Sequence, residues 1–232
     1  MEQIFKTPRM RLMGDSGLLF EFGDVIAPEI NQKVRLITKA LEQQMPPGVN
    51  EVMPTYRSIL MIYDPIKTNP KTLARHLDDL KNQLEGLKLS LPRTVEIPVC
   101  YGGEYGPELP FIAEHTGLNE KEIIKIHSDP EYQIFMIGFT PGFPFLGGMD
   151  ERLTTPRLKT PRTQVPAGSV GIANNQTGMY PVDSPGGWQL IGRTPLRLFS
   201  PENKNPFLYA AGDRIRFKPI DQAEFDQINQ KK

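Results

Sequence analysis

The sequence predicts an α+β domain over residues 1–90 followed by a β-rich domain over residues 91–232. Two helical apolar stripes interleaved with strand-like segments carry the first assignment. Short apolar segments broken by glycine and proline, with little helix among them, carry the second and point to a barrel or sandwich. The segment Leu87–Thr94 (LKLSLPRT) reads as the crossing between them.

Arg9–Leu12 and Leu18–Phe22 flank GDSG and read as a hairpin whose loop contains Gly14 and Gly17. A helix starts near Pro28. Ile30, Val34, Ile37 and Leu41 recur at helical spacing, and Met45-Pro46-Pro47-Gly48 ends it. Strands are expected at Val49–Tyr56 and Ser58–Tyr63. Asn69 and Pro70 then supply the N-cap and first position of a second helix, with stripe Leu73, Leu77, Leu80, Leu84 and Leu87. In the second domain a strand spans Val95–Tyr101, and helical stretches span Glu108–Thr116 and Glu120–His127, the latter capped by Asn119. Further strands are expected at Tyr132–Phe139, Ser169–Ala173, Trp188–Ile191, Leu196–Phe199 and Asp213–Pro219.

The bulk numbers narrow the function classes. Twenty-seven basic and 27 acidic residues balance, which argues against a dedicated nucleic-acid binder. Neither a signal-type h-region nor a membrane-length apolar run occurs, so a cytoplasmic protein is expected. The single cysteine, Cys100, lies in the strand-like VEIPVCY and reads as a buried thiol. His115 and His127 stand twelve residues apart with no acid or cysteine at ligand spacing, so no metal site is expected. The 23 prolines, about twice average usage, sit between apolar segments as in an ordered, loop-rich fold.

Chemistry concentrates between Gly138 and Thr194. Arg152, Arg157, Lys159, Arg162 and Arg193 are threaded through a stretch in which Asp183 is the only acid between Arg152 and Thr194. A proline precedes both Arg157 and Arg162, which favours extended backbone and offers both guanidinium forks from semi-rigid positions. Arg157, Arg162 and Arg193 are therefore candidate anion contacts. Gln164, Ser169, Gln176 and Tyr180 are candidate polar orienters, and Trp188 a candidate pocket wall. Gly138, Pro141, Gly142, Gly147, Gly148, Gly168, Gly186 and Gly187 would shape the loops. AGSVG departs by one residue from a nucleophile elbow, but all three histidines precede Ser169, so a serine triad is not expected. No GxxxxGK[ST] or GxGxxG occurs.

In order, YGGEYGPEL, His127, IGFTPGFPFLGG, the paired Pro-Arg elements, VPAGSVGIA, QTGMYP, SPGGWQLIGRTP and AGDRIRF resemble the PxpB family, the B-type subunits of 5-oxoprolinase. That family includes the kinase inhibitor KipI and the first-subunit carboxyltransferase half of allophanate hydrolase and urea carboxylase proteins. Glu108 departs from it, standing where the pattern has Asp. The resemblance implies an α+β domain followed by a cyclophilin-like β-barrel. It also implies a PxpC-type partner and a PxpA-type partner that together open 5-oxoproline to glutamate at the expense of ATP, with Mg alongside the nucleotide. The substrate would be activated by phosphorylation, and this chain alone would be inactive. His127 is a candidate acid or base on a family-matching position. The alternative implied by the same motifs is a binding module that docks on a sensor histidine kinase.

Overall fold

The computed structural model describes residues 4–83, 89 and 91–230. The expected stripe positions Leu84 and Leu87, and with Leu87 the start of the crossing segment, lie outside the described residues. The chain divides into two compact units, Met1–Leu91 and Pro92–Lys232. No helix among the described residues is long and apolar enough to cross a membrane.

In the first unit, β1 (Ile4–Met13) and β2 (Gly17–Gly23) form the expected hairpin. With β3 (Val49–Pro54) and β4 (Ser58–Tyr63) they make an antiparallel sheet of order β1-β2-β4-β3. Alternation puts Leu18, Phe20 and Phe22 of β2 and Ile59, Met61 and Tyr63 of β4 on one face, all buried. Against them pack α1 (Pro28–Gln43), through Ile30, Val34, Ile37 and Leu41, and α2 (Pro70–Gln83), through Leu73, Leu77 and Leu80. Each fully buried aliphatic side chain contributes about 1.5–3 kcal/mol, so this face is the main source of the unit's stability.

The second unit holds β5 (Thr94–Tyr101), α3 (Leu109–Thr116), α4 (Glu120–Ser128), β6 (Glu131–Ile137) and β7 (Pro144–Gly147). It continues through β8 (Arg162–Val165), β9 (Ser169–Ala173), β10 (Gln176–Met179), β11 (Ser184–Gly186), β12 (Gln189–Arg193), β13 (Arg214–Ile220) and α5 (Gln222–Asn229). Seven strands form one mixed sheet, β10-β9-β12-β5-β13-β6-β7, in which only β5 and β13 run parallel. Its outer strands β7 and β10 come together, so the sheet curls into a nearly closed barrel. The seam needs small residues: a Cβ on Gly178 of β10 would stand 3.3 Å from the Pro144 carbonyl of β7. Strands β8 and β11 pair outside the barrel as a two-stranded ribbon.

Two sequence expectations need correction. Leu196–Phe199 is not a strand; it contributes only an isolated bridge from Phe199 to Phe207. The Leu196 amide is taken by the Thr194 hydroxyl, a local turn that removes it from any ladder. Strands β7, β8, β10 and β11 and helix α5 are additions to the expected elements, although for α5 Asp221 followed three residues later by Glu224 is an N-terminal signature, and Asp221 does accept the Glu224 amide. The expected Asn119 cap is present as a full capping box with Glu122. Asn119→Ala should therefore cost about 1 kcal/mol, read as a lowered urea midpoint.

Candidate functional site

The loop Thr155–Pro161 is fixed from both sides. Thr155 bridges to Asn174, the Leu158 amide donates to the Gly187 carbonyl at 2.8 Å, and Gln189 Nε2 donates to the Pro156 carbonyl at 2.9 Å. Arg157 is thereby held out to solvent and makes no ion pair among the described residues. Arg162 opens β8 and is already engaged. One guanidinium nitrogen meets the Glu108 carboxylate, and the other donates to the Trp188 carbonyl at 3.3 Å. Tyr180 is buried beside them and its ring meets Trp188 edge-on at 6.4 Å. Burial raises the Tyr180 phenol, opposed first by the Trp188 backbone amide and then by the charges of Arg157 and Arg162. Arg157, Arg162, Tyr180 and Trp188 thus form one group, backed by Phe143, whose ring stands 5.5 Å from both Tyr180 and Trp188. Trp188 is buried in an apolar cluster with Phe143, Val165, Ala173, Tyr180 and Leu190.

A second group forms at the far end of β12, about 15 Å along the strand from Trp188. Arg193 ends β12, and its Nε donates to the Ala167 carbonyl at 2.8 Å. The Ala167 amide donates in turn to Asp183 Oδ1 at 2.7 Å, and Gln164 Nε2 donates to Asp183 Oδ2 at 3.1 Å. These bonds, with Arg193 nearby, hold the Asp183 carboxyl below its usual range. A cavity of about 220 Å³ opens here, lined by Ala167, Pro181, Arg193, Thr194, Asn229 and the Tyr105–Phe225 ring pair, among others. Three motifs that are separate in the sequence, VPAGSVG, QTGMYP and IGRTP, meet at its wall. Gly168 is the residue that allows this: at φ 85° its absent Cβ would stand 2.4 Å from the Thr194 carbonyl. Gly186 does the same for the first group, where a Cβ would collide with the Tyr180 hydroxyl.

Other expected site residues fall elsewhere. Ser169 is buried and its hydroxyl donates to the Pro166 carbonyl at 2.7 Å, a bond that closes the β8–β9 turn. Gln176 lies half-buried at the start of β10, in the β9–β10 hairpin. Gly138, Pro141, Gly142, Gly147 and Gly148 shape the loop between β6 and β7 and the exit from β7. Gly187 lies against Pro161.

His127 belongs to neither group, and acid–base work does not suit where it sits. It is fully buried on α4, with its ring stacked on Phe217 at 4.6 Å. Thr177 Oγ1 spends its proton on the Gly171 carbonyl, so toward His127 it accepts: Nε2 carries hydrogen and donates at 2.7 Å. Nδ1 then accepts from the Tyr101 hydroxyl at 2.8 Å. Both nitrogens are satisfied in the neutral form, and burial pushes the imidazole down to about 3. A proton donor needs reach to a substrate, which this ring lacks. Among the described residues no group of three or more His, Cys, Asp or Glu is placed to hold a metal ion.

A family model for the carboxyltransferase domain, subdomain C and D, matches residues 8–209. Over 92% of its length the chain is 42% identical to the 5-oxoprolinase B subunit of Bacillus subtilis (strain 168), spanning 93% of that protein. The chain belongs to the PxpB family of 5-oxoprolinase B subunits. A second member, the 5-oxoprolinase B subunit of Haemophilus influenzae, is 50% identical over 63% of this chain and 68% of its own length. Among solved structures, TTHA0988 superposes with a TM-score of 0.77 at 37% identity, covering 92% of this chain but 40% of the longer TTHA0988 chain.

Sequence reasoning missed several residues of this PxpB-family chain. Glu108 reads in the sequence only as a departure from pattern, yet its carboxylate meets Arg162 and accepts the Leu190 amide at 2.8 Å. Tyr105, Phe225 and Asn229 line the Arg193 cavity only because α5 folds back beside the loop after β5, a pairing no local signal announces.

Proposed function

We propose that this chain is the B subunit of an ATP-dependent 5-oxoprolinase. The observation that carries the reading is the 42% identity to a 5-oxoprolinase B subunit across nearly the full length of both chains. In this reading the barrel is of the cyclophilin-like type, the protein is cytoplasmic, and it works with PxpC-type and PxpA-type subunits. ATP, with Mg, supplies a phosphoryl group to the lactam oxygen. The chain's own residues do the binding and the electrostatics. An unstrained lactam resists attack because amide resonance must be lost, and the activating transfer needs positioning and charge stabilisation more than covalent help. Arg157, without an ion pair among the described residues, and Arg193, fixed on the Ala167 carbonyl, suit that task, whereas Arg162 is already paired with Glu108. Cavity size argues against a self-sufficient nucleotide site here: about 220 Å³ falls below the roughly 300–1,000 Å³ of pockets for drug-sized ligands. In this reading the nucleotide binds at a surface shared with the partner.

The test is 5-oxoproline-dependent phosphate release from ATP by this chain mixed with its PxpC- and PxpA-type partners, against each omission. Turnover should require every component, and Arg157→Ala should reduce it at least tenfold, the loss expected for one charge-assisted contact. Turnover by this chain alone, or a complete assembly without turnover, would sink the reading; the second result would favour a kinase-docking module.

A further inference from the structure

Resting on that reading, we propose that the cavity beside Arg193 is the subsite for the carboxylate of a small organic acid, 5-oxoproline in the assembled enzyme, and that it excludes the nucleotide. Three observations point the same way. Arg193 is aimed rather than free: its Nε is fixed on the Ala167 carbonyl at 2.8 Å, which leaves the terminal nitrogens of the fork as donors. It forms no ion pair among the described residues, whereas its neighbour on the same wall, Arg197, is paired with Glu202 at 2.6 Å. Asp183, the nearest carboxylate along this network, is committed to the Ala167 amide and Gln164. The cavity therefore offers one oriented guanidinium with donors to spare.

The rest of the lining matches a compact ring. Pro181, Pro195 and Leu196 are apolar and stiff, and Tyr105 is stacked on Phe225 at 4.4 Å. Tyr105 itself is held by Gln222, which donates to its hydroxyl at 3.0 Å, so α5 fixes that wall. Thr194 and Asn229 add polar groups at the margin. A five-membered lactam acid needs one cation for its carboxylate, apolar walls for its methylenes and a few polar atoms for its amide. A volume of about 220 Å³ suits a molecule of that size and is small for a nucleoside triphosphate.

Titration calorimetry on the full chain tests this with four probes: 5-oxoproline, 2-pyrrolidone (the same ring without the carboxylate), succinate and ATP. We expect 5-oxoproline to bind, 2-pyrrolidone to bind about 10- to 100-fold more weakly, and saturating ATP to leave the 5-oxoproline affinity unchanged. Arg193→Gln should lose about the same factor. Asn229→Trp, in the last turn of α5, should block the cavity without disturbing the barrel and so guards against a merely misfolded Arg193 variant. Equal affinity for 2-pyrrolidone, displacement by ATP, or no heat with any small acid would overturn the proposal. Two further outcomes tell the site apart from the activity. Succinate binding through Arg193 in place of 5-oxoproline would uphold the carboxylate site and overturn the oxoprolinase reading. Turnover by the reconstituted assembly with a 5-oxoproline KM unchanged in Arg193→Gln would do the reverse.

Discussion

Glu108→Gln should lower the stability of the barrel unit by about 2–3 kcal/mol, a fall of roughly 6–9 °C in melting temperature for a unit of this size. One carboxylate here serves two donors from different elements. Oε1 meets Arg162 at the start of β8, and Oε2 accepts the Leu190 amide of β12. The Glu108 amide returns a bond to the Leu190 carbonyl at 3.1 Å, so the start of α3 is clipped to β12 twice. Glutamine keeps one acceptor oxygen but turns the other atom into a donor, which faces either a guanidinium or an N–H. Arg162 and Glu108 side chains are 27% and 15% exposed, so water compensates only in part. Glu108→Asp keeps the charge but is one methylene short of spanning both partners, and should cost about 1 kcal/mol. A double-mutant cycle with Arg162→Met separates the ion pair from the amide bond. An unchanged melting temperature in Glu108→Gln would show that the pair contributes nothing.

The second large effect is a pH dependence. His127 is held neutral in the folded chain, with its imidazole pushed down to about 3, against about 6.5 when unfolded. The folded pKa is depressed, so between these values the unfolded state binds a proton that the folded state refuses. The stability from the neutral ring is therefore fully present above about pH 6.5 and is lost as pH falls toward 3. From pH 7 to pH 5 the loss amounts to about 2 kcal/mol, at 1.36 kcal/mol per pH unit below the unfolded value. Urea unfolding at the two pH values measures it. His127→Gln can keep a hydrogen bond to Thr177 or Tyr101 but cannot titrate, so its stability should change by about 2 kcal/mol less over the same interval. Equal pH dependence in both proteins would mean that the ring reaches solvent.

Much of the architecture was legible because local chemistry and packing agree. The stripe Ile30, Val34, Ile37 and Leu41 has helical period and is buried as one face. Asn119 marked the start of α4, where it caps the helix. The loop run from Gly138 to Thr194 was legible as a site region because its glycines and prolines answer to backbone conformation, as the positive φ of Gly168 shows, even where a tertiary contact adds to the demand. The arginines were legible as unusual by charge alone.

Which arginine faces what was not legible. Arg162 and Arg193 read alike in sequence, each on a proline- or glycine-bordered segment. Folding assigns the first to Glu108, 54 positions away, and the second to Ala167 and a cavity walled by α5. Arg157 instead keeps its charge on an exposed loop, without an ion pair among the described residues. His127 shows the same limit. Its sequence setting allowed an acid or a base, while the barrel closes Tyr101, Thr177 and Phe217 around the ring and leaves it neutral. Period, caps and turn chemistry act over a few residues, so the sequence by itself determined the longer elements and the family, while the short strands β7, β8, β10 and β11 and helix α5 emerged only with the fold. Charge pairing and burial depend on which distant strands become neighbours, so only the tertiary structure decided the roles of these side chains.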